Sequence, residues 1–287
     1  MQRLLAHEAS RIALRPSVLL LAGFAAMYLP VYWQASQDLW QREDFSHGPI
    51  LLVVAAWLFW QARGAIAAAP DRPVPALGWP LLALGLLVYE FGRILQLDNF
   101  EFLSQVVVVA SMLVLFKGLA GLRAAWFPVC YLLFLVPLPG FLVDALTAPL
   151  RHWIAQVVVE SLHALGYPIG RAGVMITIGS YQLLVAEACS GLNSMFSLSA
   201  LGTLFVYVMG RRSVVHNALM VAAIVPIALL ANIVRVLILV LVTYHLGDEA
   251  GQGFLHGAAG IVMMLAALTA FFALDAILHA RTGRPAR

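Results

Sequence analysis

Three residues of this chain carry side chains suited to chemistry in surroundings that would normally exclude them. Cys189 follows Val185-Ala-Glu-Ala188 and precedes Ser190-Gly-Leu-Asn-Ser194, at the start of a long apolar run. A cysteine at a helix start meets orphan backbone N–H groups and the positive end of the helix dipole. Such a position favours the thiolate, which is the nucleophilic form, and the same N–H groups could hold an oxyanion formed in acyl transfer. The competing reading is an inert, buried thiol, the commonest fate of a free cysteine. Arg235 lies in Leu229-Leu-Ala-Asn-Ile-Val-Arg-Val-Leu-Ile-Leu239, with Asn232 three residues earlier on the same helical face. An ionisable group in such a run raises a functional question, although an arginine can also snorkel to the headgroups. His256 opens a further apolar run in Gly253-Phe-Leu-His-Gly-Ala-Ala-Gly260. A thiol, a guanidinium and an imidazole supply a nucleophile, a charge stabiliser and a proton shuttle. A histidine at a helix start is also a common capping or interfacial residue, and His47, His152, His163 and His245 are alternatives.

The elements that must position these residues are set by composition. Of the 287 residues, 62% are hydrophobic and 11% charged, where a soluble domain carries about 25% charged residues. Several apolar runs reach eighteen residues or more, and about 20 suffice to cross a bilayer. Spans are expected near residues 16–33, 48–64, 77–95, 102–119, 123–138, 190–209, 214–244 and 255–279. The fold class is therefore all-α: a polytopic integral membrane protein of about eight transmembrane helices, forming one domain over 1–287. A net charge of +3 is distributed through short loops between the spans, a pattern of membrane topology rather than of nucleic-acid binding. No cleavable signal peptide is expected at the N-terminus.

Segment 139–188 has no clean apolar span and is assigned outside the membrane. It opens with Pro139-Gly140 and carries Asp144, Arg151, His152, Glu160, His163 and Arg171. Phe141 to Gly166 reads as helix. Val174 to Ile178 and Tyr181 to Val185 flank Gly179-Ser180, a two-residue hairpin signature. With the N-terminus inside, the cytoplasmic segments collect twelve Lys and Arg, among them Arg63, Arg72, Lys117, Arg123, Arg211 and Arg212. That orientation puts both termini in the cytoplasm and Cys189, Arg235 and His256 on the outer face. Cys130 is expected to be an apolar filler in the fifth span, with no disulfide to Cys189. Cysteines and histidines are too few and scattered for structural zinc, no Gly-rich nucleotide loop follows a strand, and no cofactor is expected.

Read together, these residues resemble the exosortase and archaeosortase family of membrane-embedded sorting enzymes. The resemblance rests on Phe45-Ser-His-Gly48, the Pro137-Leu-Pro139 break, Val185-Ala-Glu-Ala-Cys-Ser-Gly-Leu192, Asn232-Ile-Val-Arg235 and His256-Gly-Ala-Ala-Gly260, in that order. It implies that Cys189, Arg235 and His256 are the catalytic set, and the three positions show no departure from the family pattern. It implies as substrates secreted proteins ending in a Pro-Glu-Pro type motif, one membrane helix and a basic cluster. It also implies a bacterium making exopolysaccharide, and hence the inner membrane, with lipid as the surrounding partner and the active site at the periplasmic face. On this reading the enzyme is a cysteine peptidase or transpeptidase working through a thioester. Asn232 would steady Arg235, with Glu187 and Ser190 in supporting roles. The alternatives are a polytopic transporter and a non-catalytic assembly factor of an exopolysaccharide export system. For both, Cys189 would be dispensable.

Overall fold

The computed structural model describes residues 16–42, 45–184, 191–210, 213–247 and 254–282. The chain forms two compact units, Met1–Pro137 and Leu138–Arg287. They part within the Pro137-Leu-Pro139 break.

The first unit contains α1 (Pro16–Gln37), α2 (Gly48–Ala68), α3 (Pro75–Leu95), α4 (Asp98–Ala124) and α5 (Trp126–Tyr131), with short 3-10 turns at Leu39–Gln41 and Leu132–Leu135. Helices α3 and α4 form an antiparallel hairpin through Gln96, which adopts a left-handed conformation at the end of α3. Its close packing depends on three glycines spaced seven residues apart. A Cβ on Gly78, Gly85 or Gly92 would lie 2.5 Å from Leu115, 2.7 Å from Val108 and 2.8 Å from the Glu101 backbone nitrogen. Small residues at a helix interface let backbones approach closely, and van der Waals packing is what associates helices in lipid. Polar contacts cluster at the start of α4. Tyr28 and Ser104 lie 2.7 Å apart, Tyr32 donates to Gln105, and Arg93 reaches both Gln34 and Glu101. At the other end of this unit Lys117 pairs with Asp71 at 2.5 Å and donates to the carbonyls of Ala67 and Ala69 at the end of α2.

The fifth expected span is a shorter element. Helix α5 passes into the 3-10 turn, and Pro137 and Pro139 end helical structure because proline has no N–H and disfavours helix in the residue before it. The apolar helical stretch is Trp126–Leu135, about half the length needed to cross the hydrocarbon core. Cys130 is exposed there rather than a filler. On a helix, positions four apart share a face. Cys130 shares the exposed face with Trp126, while Phe127, Val129 and Tyr131 turn inward.

The second unit contains α6 (Gly140–Ala164), β1 (Ile169–Ala172), β2 (Met175–Ile178), β3 (Tyr181–Leu184), α7 (Gly191–Met209), α8 (Val214–Leu246) and α9 (Phe254–Thr282). The expected helix and the expected hairpin are both present. β2 pairs antiparallel with β3, Ile178 opposite Tyr181, so Gly179-Ser180 is the two-residue turn. Strand β1 extends the hairpin to a three-stranded meander. The sheet covers one flank of the unit: Ile176, Ile178 and Leu183 share a core with Ile154, Val158 and Leu162 of α6 and Ile233, Val236 and Val240 of α8.

Five helices are long and apolar enough to cross a membrane among the described residues: Gly48–Ala68, Pro75–Leu95, Asp98–Ala124, Val214–Leu246 and Gly260–Ala280. The fold is thus mostly helical with several membrane spans and one small sheet. It is a multi-pass membrane protein.

Candidate functional site

The candidate site is organised by α8, a 33-residue helix flanked by α7 and α9 within the second unit. Its long apolar sequence accounts for its length, and Pro226 lies within it. The N-cap Ser213 accepts a hydrogen bond from the His216 backbone N–H, satisfying one of the orphan donors of the first turn. Two apolar clusters show how the three helices run. Phe205 of α7 packs with Met220 and Ile224 of α8 and Phe271 of α9. One level along, Leu198 packs with Ala228 and Ala231 and with Met263 and Ala267. Helices α7 and α9 are therefore parallel to each other and antiparallel to α8.

Arg235 continues the buried stripe of α8 that contains Met220, Ile224, Ala228 and Ala231. Its residue is 5% exposed, and Asn232 beside it is 2% exposed. Both are buried in a helix whose neighbours at Ile233 and Val236 are also buried. The Asn232 side-chain oxygen accepts no hydrogen bond among the described residues. A buried, unsatisfied acceptor is costly, so a partner that arrives with substrate would account for it. Arginine carries five N–H donors in a rigid fork suited to carboxylate or oxyanion recognition. This segment can therefore offer fixed positive charge and an acceptor inside an otherwise apolar bundle.

The remaining sequence candidates stand at helix starts or beyond the described chain. Position 256 lies in the first turn of α9, and the His256 side chain is outside the described atoms. Cys189, Glu187 and Ser190 lie outside the described residues. Helix α7 begins two positions after Cys189, at Gly191. No cluster of three or more His, Cys, Asp or Glu side chains suited to a metal is present among the described residues.

Sequence reading missed one buried ionisable pair. His216 Nε2 donates to Asp275 Oδ1 at 2.8 Å, joining the far ends of α8 and α9. The residues are 1% and 5% exposed. The available signal was one ionisable residue inside each of the expected spans 214–244 and 255–279, at the ends that an antiparallel pair of helices brings together.

A multi-pass membrane protein with an arginine and an asparagine buried in one helix of its second unit is the class that fold and site define. The family model of the transmembrane exosortases (Exosortase_EpsH) matches residues 40–273, and the chain belongs to that family. The match spans both compact units and includes Cys189, Arg235 and His256. No curated protein and no solved structure matches the chain.

Proposed function

We propose that this exosortase-family protein is a cysteine peptidase or transpeptidase that removes a C-terminal sorting signal from exported proteins. The observation that carries the proposal is the burial of Arg235 beside Asn232 in a stripe of α8 that α7 and α9 cover. Family membership adds that the protein serves protein sorting. Its N- and C-termini lie in the cytoplasm, and the reaction takes place at the periplasmic face of the bacterial inner membrane. The basic residues at one end of the first unit, such as Lys117 and Arg63, support that orientation.

In the proposed reaction the Cys189 thiolate attacks a peptide carbonyl near a Pro-Glu-Pro type motif. A C–S bond forms and the carbonyl oxygen becomes an oxyanion, which Arg235 stabilises. Collapse breaks the C–N bond, and the departing amine takes a proton from His256. The thioester is then opened by water, or by an amine or hydroxyl of an acceptor, whose proton returns to His256. Asn232 orients Arg235 or the substrate backbone, with Glu187 and Ser190 flanking the nucleophile. Substrates are secreted proteins that end in the motif, one membrane helix and a basic cluster.

The test is co-expression with a tagged protein bearing such a tail, comparing the wild type with Cys189→Ala, Arg235→Ala and His256→Ala. Loss of the tail with the wild type and its retention with all three variants is the expected result. Equal processing by the Cys189→Ala variant would eliminate the thiol as nucleophile. It would favour a transport or scaffolding role.

A further inference from the structure

The His216–Asp275 pair and Arg235 lie on one continuous pattern. On α8 the buried stripe runs His216, Met220, Ile224, Ala228, Ala231, Arg235; on α9 Asp275, Phe271, Ala267 and Met263 are buried, and positions 260 and 256 continue the spacing along the helix. Both stripes step by four, four, four, three and four residues. The two helices are antiparallel, and His216 touches Asp275. Nineteen residues then separate the pair from Arg235 on one helix and from position 256 on the other. At 1.5 Å per residue both positions stand about 28 Å from the pair. Between them the rungs Met220 with Phe271 and Ala228 with Met263 share apolar clusters, so the register is held along the way and on both sides of Pro226.

Apolar rungs spaced in this way do not choose a register by themselves. Lipid tails are as apolar as the side chains, so no hydrophobic force drives the helices together. A slip of one turn, 5.4 Å, would exchange one set of apolar neighbours for another. It would also break the buried His216–Asp275 contact, and in a low-dielectric interior separating the two partners of such a contact is strongly disfavoured. A single buried polar contact among apolar layers fixes register in coiled coils for the same reason.

We infer that the buried His216–Asp275 pair is a register pin. It locks α8 against α9 so that Arg235 and His256 stand at one level of the membrane. His216 and Asp275 are positioning residues for the proposed site, and their catalytic consequence rests on that reading. The pin itself does not.

Two measurements separate them. In full-length protein with Cys130 and Cys189 replaced by Ser, Ala228→Cys and Met263→Cys are introduced and oxidised in the membrane, alongside Ala228→Cys with Gly260→Cys. The 228/263 bridge should dominate with the pin intact. It should lose at least about fivefold of its preference in His216→Leu or Asp275→Leu, and regain it in the swapped His216→Asp/Asp275→His variant. In the tail-processing assay, with Cys189 present, the single variants should process at least about tenfold more slowly, and the swapped pair should recover. No preference for 228/263 in the parent, or an unchanged preference in both single variants, would overturn the pin. A register that shifts and recovers as described, in a protein that never processes the tail, would retain the pin and remove the peptidase reading.

Discussion

Gly202 of α7 stands directly under the Phe271 ring of α9. A Cβ at that glycine would lie 2.7 Å from Phe271 Cζ and 2.9 Å from Ile224 Cγ1. Phe271 is fully buried and Ile224 nearly so, and the glycine is what admits both side chains to the crossing of three helices. Gly202→Ala sets two effects against each other. Alanine favours helix by about 0.5–1 kcal/mol over glycine, while overpacking a tight interface costs about 1–3 kcal/mol. Because two side chains must move, the packing cost is expected to win by roughly 1 kcal/mol. Thermal stability of the detergent-solubilised protein should fall, and Gly202→Ala combined with Phe271→Leu should recover part of the loss. A more stable single variant would show that the crossing is loosely packed.

Ser104 and Tyr28 in the first unit should respond asymmetrically to truncation. The Ser104 hydroxyl donates to the Glu101 carbonyl at 2.6 Å, so the Tyr28 hydroxyl 2.7 Å away is the donor of their shared bond. Tyr28→Phe removes that donor and leaves Ser104 still bonded. Ser104→Ala instead leaves a tyrosine O–H in a site where Tyr28 is 1% exposed. A buried donor left unsatisfied costs about 1–3 kcal/mol, against about 1 kcal/mol for a typical net bond. Ser104→Ala should therefore be the more destabilising of the two in a thermal melt. Equal losses would mean that the bond runs in the other direction.

The two turns of the meander differ in what they tolerate. Gly179 has a φ of 56° and its Cβ would lie 3.2 Å from the Tyr244 ring; Gly173 has a φ of 65° and its Cβ would meet only His152, at 3.9 Å. Asparagine is the residue other than glycine that best accepts this left-handed region. Gly173→Asn should leave the melting temperature nearly unchanged, whereas Gly179→Asn should lower it, because Tyr244 must also yield. Equal effects at the two positions would show that backbone conformation alone governs these turns.

The parts legible in the sequence were those with a strong local period or a punctuating residue. The hairpin followed from Gly179-Ser180 between alternating apolar residues, and α8 from its unbroken apolar run. Strand β1 did not, because Ile169-Gly-Arg-Ala172 has no alternation and its strand character comes from pairing with β2. The fifth expected span is too long because residues 126–135 are apolar enough to suggest one, whereas the stop imposed by Pro137 and Pro139 limits the length of the helical stretch. Within the site, Arg235 and Asn232 were legible as polar residues in an apolar helix. The His216–Asp275 contact was not, since it joins residues 59 positions apart and each alone reads as a charge near a membrane surface.

Asn232 offers the sharpest separation of stability from activity. Its oxygen is buried and accepts no hydrogen bond among the described residues, and an acceptor in that condition costs about 1–3 kcal/mol. Replacing it by leucine, of similar length and without polar atoms, should leave the melting temperature unchanged or raise it. A site that gives up stability to keep a polar group usually does so for function. Tail processing by Asn232→Leu should nevertheless fall roughly 100-fold, the loss typical of removing one positioned polar group from a reacting centre, while membrane levels of the protein stay normal. Asn232→Asp tests whether the requirement is for an acceptor: it keeps the oxygen, so processing should exceed that of the leucine variant. Full activity with leucine at 232 would place the residue outside the reaction and leave Arg235 to act without it.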